Sequence, residues 1–114
     1  MDDEAWYVDA LAQRLDLRGF RAEVAFDGRS GLRRLGEQPF DAMVLDLKLP
    51  DMSGLEVLCL ARRQWPELRV LILTGHGSDA ERQACLERGA EAFINKPIRT
   101  EELAALLRGE EERS

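Results

Sequence analysis

No stretch of the 114 residues comes near the roughly 18 consecutive apolar residues that a membrane-crossing helix needs, which excludes a helical span. Cysteine is scarce. Cys59 and Cys85 are too few for a disulfide framework and suit a reducing, cytoplasmic setting. Low-complexity tracts, internal repeats and linkers are missing too, and the length then points to one domain with a core of its own. The opening Met1-Asp2-Asp3-Glu4 is acidic and is not expected to be a secretory signal. Positive charge is outnumbered: 16 Lys and Arg face 22 Asp and Glu, a net charge of −6. That balance disfavours direct binding to nucleic acid or an anionic membrane, and the pairs Arg33-Arg34 and Arg62-Arg63 read as solvated helix faces. What is present is an ordinary globular mixture, 45% hydrophobic and 33% charged, so disorder is not expected.

Short apolar runs alternate with helical patterns. In 5–18, Val8, Leu11, Ala12 and Leu15 recur at helical spacing ahead of Gly19. Residues 21–26 read as a strand closed by an Asp27-Gly28 turn, and 29–37 as a helix carrying Leu32 and Leu35. The run 42–45 is apolar throughout, the pattern of a parallel strand buried on both faces. Ser53-Gly54-Leu55-Glu56 is a capping box for a helix ending near Trp65-Pro66. Val70 to Leu73 forms another buried strand. Ser78-Asp79-Ala80-Glu81 caps a helix that stops at Gly89, Ala92 to Ile94 is a last strand, and Thr100 caps a final helix with Leu103, Leu106 and Leu107 inward. Cys85 and Cys59 both read as packing residues. The order is that of an α/β fold with an open, doubly wound parallel sheet. Its domain spans 1–108, with a polar tail at 109–114. One element is missing: a strand is expected ahead of the first helix.

Open sheets of this kind place their sites beyond the carboxyl ends of the strands. Asp2 and Asp3 stand where the first strand should end, Asp46 ends the 42–45 run, Thr74 ends the next, and Lys96 follows the last. Three carboxylates, a hydroxyl and an ammonium thus converge on one rim. The carboxylates repel one another unless protons or a divalent cation intervene, and oxygen-only ligands suit Mg2+ or Mn2+. Lys96 and Thr74 suit phosphoryl oxygens, which leaves one carboxylate as nucleophile. His76, two residues past Thr74, either tunes attack of water on the phosphoryl group or faces solvent.

The chain resembles bacterial response-regulator receiver domains of two-component signalling over nearly its whole length. The matching stretches are Asp2-Asp3-Glu4; Phe40-Asp41-Ala42-Met43-Val44-Leu45-Asp46-Leu47-Lys48-Leu49-Pro50-Asp51-Met52-Ser53-Gly54; Leu73-Thr74-Gly75-His76-Gly77; and Gly89-Ala90-Glu91-Ala92-Phe93-Ile94-Asn95-Lys96-Pro97. The resemblance implies a flavodoxin-like sheet of order 2-1-3-4-5, here with its first strand missing or truncated. It implies Asp46 as phosphoacceptor. Mg2+ (or Mn2+) would be held by Asp3 directly, Asp2 through water, Asp46 and the backbone carbonyl of Lys48. Thr74 and Lys96 would bind the phosphoryl group, Thr74 and Phe93 would act as the switch, and the Lys96-Pro97 bond would be cis. Apart from the resemblance, Lys48 and His76 are candidates for tuning the phosphoryl group's lifetime. A sensor histidine kinase or phosphotransfer protein would be the donor. The face made by the last two helices and the strand between them would engage a downstream protein or effector domain. Catalysis would extend only to the chain's own phosphotransfer and dephosphorylation.

Two other readings stay open. One is a receiver-like interaction module that takes no phosphate. The other is a Mg2+-dependent phosphohydrolase with an Asp nucleophile, against which Lys48 stands where a second carboxylate would be wanted. A stand-alone receiver and one cut from a longer protein are both compatible with the sequence, and the oligomeric state stays open, a dimer included. Without its central strand, the segments 22–25 and 43–45 would lie ~9–10 Å apart. An open monomer is then not expected to persist, and a further stretch of chain or a second copy is expected in the gap.

Overall fold

The computed structural model describes residues 1–75 and 77–109. His76 and most of the polar tail, at 110–114, lie outside the described residues. The elements are α1 (Ala5–Leu17), α2 (Gly28–Glu37), β1 (Ala42–Leu45), α3 (Gly54–Gln64), β2 (Arg69–Thr74), α4 (Asp79–Glu87), β3 (Ala92–Asn95) and α5 (Thr100–Arg108). β1, β2 and β3 form one parallel sheet in that order, with Met43 opposite Val70 and Ile72 opposite Phe93. All three are apolar because helices cover both faces.

β2 shows how the layers are divided. Its Leu71 and Leu73 point to one face, where they meet Leu11 and Leu15 of α1 and Leu103 and Ala104 of α5. Its Val70 and Ile72 point to the other, against Leu35 of α2, Val57, Leu58 and Ala61 of α3, and Cys85 of α4. Both capping boxes expected from the sequence are formed. The Ser53 and Ser78 side chains accept from the backbone N–H of Glu56 and Glu81, whose carboxylates accept from the serine N–H groups in return. Gly54 is required by close approach, since a Cβ there would run into the backbone carbonyl of Asp46 and the Cα of Leu47. The start of α3 is thereby pressed against the end of β1.

Four local expectations are corrected. The segment 21–26 is not a strand. It is tied to the middle of the fold by the N–H of Asp2 donating to the Ala25 carbonyl at 3.0 Å, and a strand without a ladder is not held as one. Asp27 is a helix cap and not a turn residue, its side chain accepting from Ser30 N–H. Thr100 is the first helical residue of α5, the capping position falls to Arg99, and no side chain caps that end. Cys85 is buried as expected, but Cys59 is exposed because it lies on the outward face of α3.

The gap ahead of the first helix is filled at one end only. The Met1 amine donates to the Val44 carbonyl at 2.7 Å, and Asp46 N–H donates to the Met1 carbonyl at 2.9 Å. Met1 and Asp2 therefore sit between β1 and the 22–25 segment like the last two residues of a central strand. Below them lies a cleft of about 480 Å3, so the two neighbouring segments are not directly paired. The fold does not swell around it: the radius of gyration is 13.0 Å, close to that of a well-packed domain of this length.

Candidate functional site

Asp46 follows β1 directly and is 6% exposed, its carboxylate turned back to accept from Lys48 N–H at 3.2 Å. Asp2, 5% exposed, lies beside it because the Met1–Asp2 stub is hydrogen-bonded between β1 and Ala25. Lys96 reaches the same point from the end of β3, where its N–H donates to the Thr74 carbonyl at 2.8 Å. The peptide bond to Pro97 is cis. Thr74 ends β2 fully buried, and the Lys48 backbone forms an isolated bridge with Ser53 that closes the loop after Asp46.

The centre of the site is the Lys96 ammonium. It stands 2.8 Å from Asp2 Oδ2, 2.7 Å from Glu4 Oε1 and 3.2 Å from Asp46 Oδ2, and 4.9 Å from the centre of the Tyr7 ring. Burial pulls the lysine pKa down. Hydrogen bonds to Asp2 and Glu4 and the charges of Asp2 and Asp46 outweigh it and hold the pKa above the usual lysine value. The Met1 amine behaves oppositely. Burial lowers its pKa to about 6, against the raising influence of Asp2 and Asp46.

Asp2, Asp46, Thr74 and Lys96 are thus brought to one rim, as the sequence suggests. Asp3 is not brought in: it is exposed and makes no ion pair among the described residues. The chain bends at Asp3, with Glu4 N–H donating to Asp2 Oδ1 at 3.0 Å, so that the Asp2 and Glu4 carboxylates both reach Lys96 and that of Asp3 does not. Glu4 is the residue the sequence reading missed. Asp2, Glu4 and Asp46 each offer an oxygen within 4.8 Å of the others. Its signal was its place in the acidic run two residues after Asp2. Phe93 is buried at 8%, its ring lying where a side chain on Gly77 would have to go, beside the Thr74 methyl. Asp51 was also missed as a structural residue. Its carboxylate accepts from the N–H groups of Gly28 and Arg29 at 2.8 and 2.9 Å, anchoring the start of α2 to the loop after Asp46, and those two hydrogen bonds lower its pKa. The oxygen donors fit a hard divalent cation, with Lys96 holding their charge in the geometry described.

The chain matches the family model described as response regulator receiver domain over residues 1–108. It is 37% identical over 108 residues to the response regulator MprA of Mycolicibacterium vanbaalenii, covering 95% of this chain and 47% of that protein. It is 36% identical over the same length to the transcriptional regulatory protein KdpE of Mycobacterium tuberculosis, again 95% of the chain and 47% of the relative. The chain therefore spans about half the length of these curated relatives. Among solved structures, the receiver domain of NtrX from Brucella abortus superposes with a TM-score of 0.88 at 31% identity, covering 99% of this chain and 96% of that one. A response regulator from Burkholderia pseudomallei, solved with a phosphorylated aspartic acid, a calcium ion and citrate, gives a TM-score of 0.88 at 30% identity, covering 93% and 62%.

Proposed function

The chain belongs to the response regulator receiver domain family, and from that premise we propose that Asp46 accepts a phosphoryl group from a sensor histidine kinase or phosphotransfer protein. The observation that carries this reading is the placement of the Asp46 carboxylate at a strand end with the Lys96 ammonium 3.2 Å away. A carboxylate oxygen of Asp46 forms the bond to phosphorus while the bond to the donor's leaving group breaks, giving an acyl phosphate. Lys96 neutralises the added charge and the Thr74 hydroxyl donates to a phosphoryl oxygen. Asp2, Asp46 and the Lys48 carbonyl would hold a Mg2+ ion, which when bound offsets the charge on the phosphoryl oxygens, and Asp3, exposed in this structure, would turn inward to join them. Asp3 is assigned here because it makes no ion pair among the described residues, whereas Glu4 is neutralised by Lys96 at 2.7 Å.

Phosphorylation re-employs Lys96, now shared among three carboxylates. Drawing it and Thr74 to the phosphoryl group disturbs the Thr74–Phe93–Gly77 packing and biases the α4–β3–α5 face toward a downstream protein or effector domain. The reaction is that of a switch, with no turnover of a separate substrate. The two unpaired cysteines and the receiver fold suit a cytoplasmic setting.

Incubation with Mg2+ and acetyl phosphate, followed by intact mass measurement, tests the reading. One phosphoryl group is expected on the parent and none on Asp46→Asn. Acid-stable phosphate on a serine, or unchanged labelling of Asp46→Asn, would overturn it.

A further inference from the structure

We propose that Asp51 is a positioning residue for the divalent cation: its carboxylate straps the loop that carries the Lys48 carbonyl to the start of α2, and so fixes that carbonyl for the ion. The inference rests on the reading of Asp46 and Lys48 as cation ligands and adds a residue that touches neither the ion nor the phosphoryl group. Residues 47–53 separate Asp46 from α3. At its base this loop is closed twice. Gly54 N–H donates to the Leu47 carbonyl at 2.8 Å, and Lys48 bridges to Ser53. Leu49, Pro50, Asp51 and Met52 form the tip. Lys48 itself lies in no helix or strand. Its carbonyl shares a rigid peptide plane with Leu49, the first residue of the tip, and turns with it.

The tip is fastened from outside the loop. Asp51 Oδ1 accepts from Gly28 N–H at 2.8 Å and Oδ2 from Arg29 N–H at 2.9 Å. Met52 fills the space that a side chain on Gly28 would take. A helix leaves its first four N–H groups without partners of its own. Asp27 answers two of them in α2, its Oδ1 accepting from Ser30 N–H and its carbonyl from Gly31 N–H. The other two are the pair that Asp51 takes. Both of its oxygens are engaged, so the carboxylate is fixed at two points and cannot swing as it would on a single bond. Bonds to an ionised carboxylate are about twice as strong as neutral ones, and the positive end of the helix favours the charge. A Mg2+ ion tolerates little error in the position of its ligands. Residues that orient a ligand without touching the ion change its affinity by about 10–100-fold.

The test is Mn2+ binding to the full chain, with the free ion measured by electron paramagnetic resonance and no phosphodonor present. Asp51→Ala and Asp51→Asn should each weaken binding about tenfold, since the first loses both bonds and the second turns an amide N–H toward one of the donors. Asp27→Ala removes the helix's own cap and leaves the Asp51 bonds in place. It should lower the melting temperature about as much as Asp51→Ala yet bind Mn2+ within about twofold of the parent, which separates strapping the loop from capping the helix. A second measurement needs no substitution. Linked equilibria are reciprocal, so saturating Mg2+ should slow hydrogen exchange of the Gly28 and Arg29 amides of the parent about tenfold. Parental Mn2+ affinity in both Asp51 variants would overturn the proposal. So would an equal loss in Asp27→Ala, or exchange at Gly28 and Arg29 that ignores Mg2+. A parent that binds no Mn2+, or binds it equally well as Asp46→Asn, would instead overturn the cation site itself and this inference with it.

Discussion

Removing the lysine at the centre of the site tests whether the acidic rim is held together by one charge. In Lys96→Ala the ammonium is lost from between Asp2 and Asp46, each with a side chain only 7% exposed, and from Glu4, which is 49% exposed. At 2.8 and 3.2 Å, and an effective dielectric of about 20, each buried pair represents about 5–6 kcal/mol of gross attraction. Most of that is offset by desolvation of the charges, and the exposed Glu4 pair adds little. The measurable consequence is the cost of stranding two buried carboxylates whose oxygens lie within 4.8 Å of one another, about 3–5 kcal/mol. For a domain with ~5–15 kcal/mol of total stability, that is a loss of roughly 10–20 °C in melting temperature. The stranded carboxylates have two remedies, a proton or a divalent cation. Melts followed by circular dichroism should therefore show the deficit of Lys96→Ala shrinking as the pH is lowered toward 5. Millimolar Mg2+ should raise its melting temperature more than that of the parent, in which the ammonium competes for the same oxygens. A variant within 1 kcal/mol of the parent at neutral pH, by the scale of an exposed pair, or equal gains from Mg2+ in both proteins, would refute the reasoning.

Three further outcomes are expected. Asp3→Ala should lose Mg2+-dependent phosphorylation while melting like the parent, since Asp3 is exposed and makes no ion pair among the described residues, whereas Glu4→Gln should retain the Mg2+ dependence; acetyl phosphate labelling across a Mg2+ series separates the two. The Met1 amine, with a pKa of about 6 in the folded chain against 8.0 ordinarily, binds fewer protons folded than unfolded between those values. Stability should therefore rise by about 2–3 kcal/mol from pH 6 to pH 8 and show no further contribution from this group outside that window, and N-terminal acetylation should flatten the rise in denaturant titrations. Gly54→Ala should destabilise by about 1–3 kcal/mol and slow phosphorylation, because the added methyl meets the backbone of Asp46 and Leu47 and cannot be accommodated by a rotamer change; parental labelling rates in that variant would show that the contact relaxes freely.

The amino-acid sequence by itself determined the helices, the two serine capping boxes and the three strands that are apolar throughout. Each of these is specified within a few residues, by a hydroxyl and a carboxylate at fixed spacing or by an unbroken run that only a doubly covered strand can bury. It also placed Asp46, Thr74 and Lys96, because a polar residue closing an apolar strand must emerge on the same rim as its neighbours in a parallel sheet. Tertiary structure decided the rest. Residues 21–26 have a strand-like composition and are not a strand, since a ladder needs a partner along its length and Met1–Asp2 supply only the end of one. Glu4, and not Asp3, meets Lys96 because the chain bends at Asp3, with Glu4 N–H donating to Asp2 Oδ1. The sharing of one ammonium among three carboxylates, and the cleft beside β1, depend on segments far apart in the chain meeting at fixed distances. Local patterning carries no record of such distances.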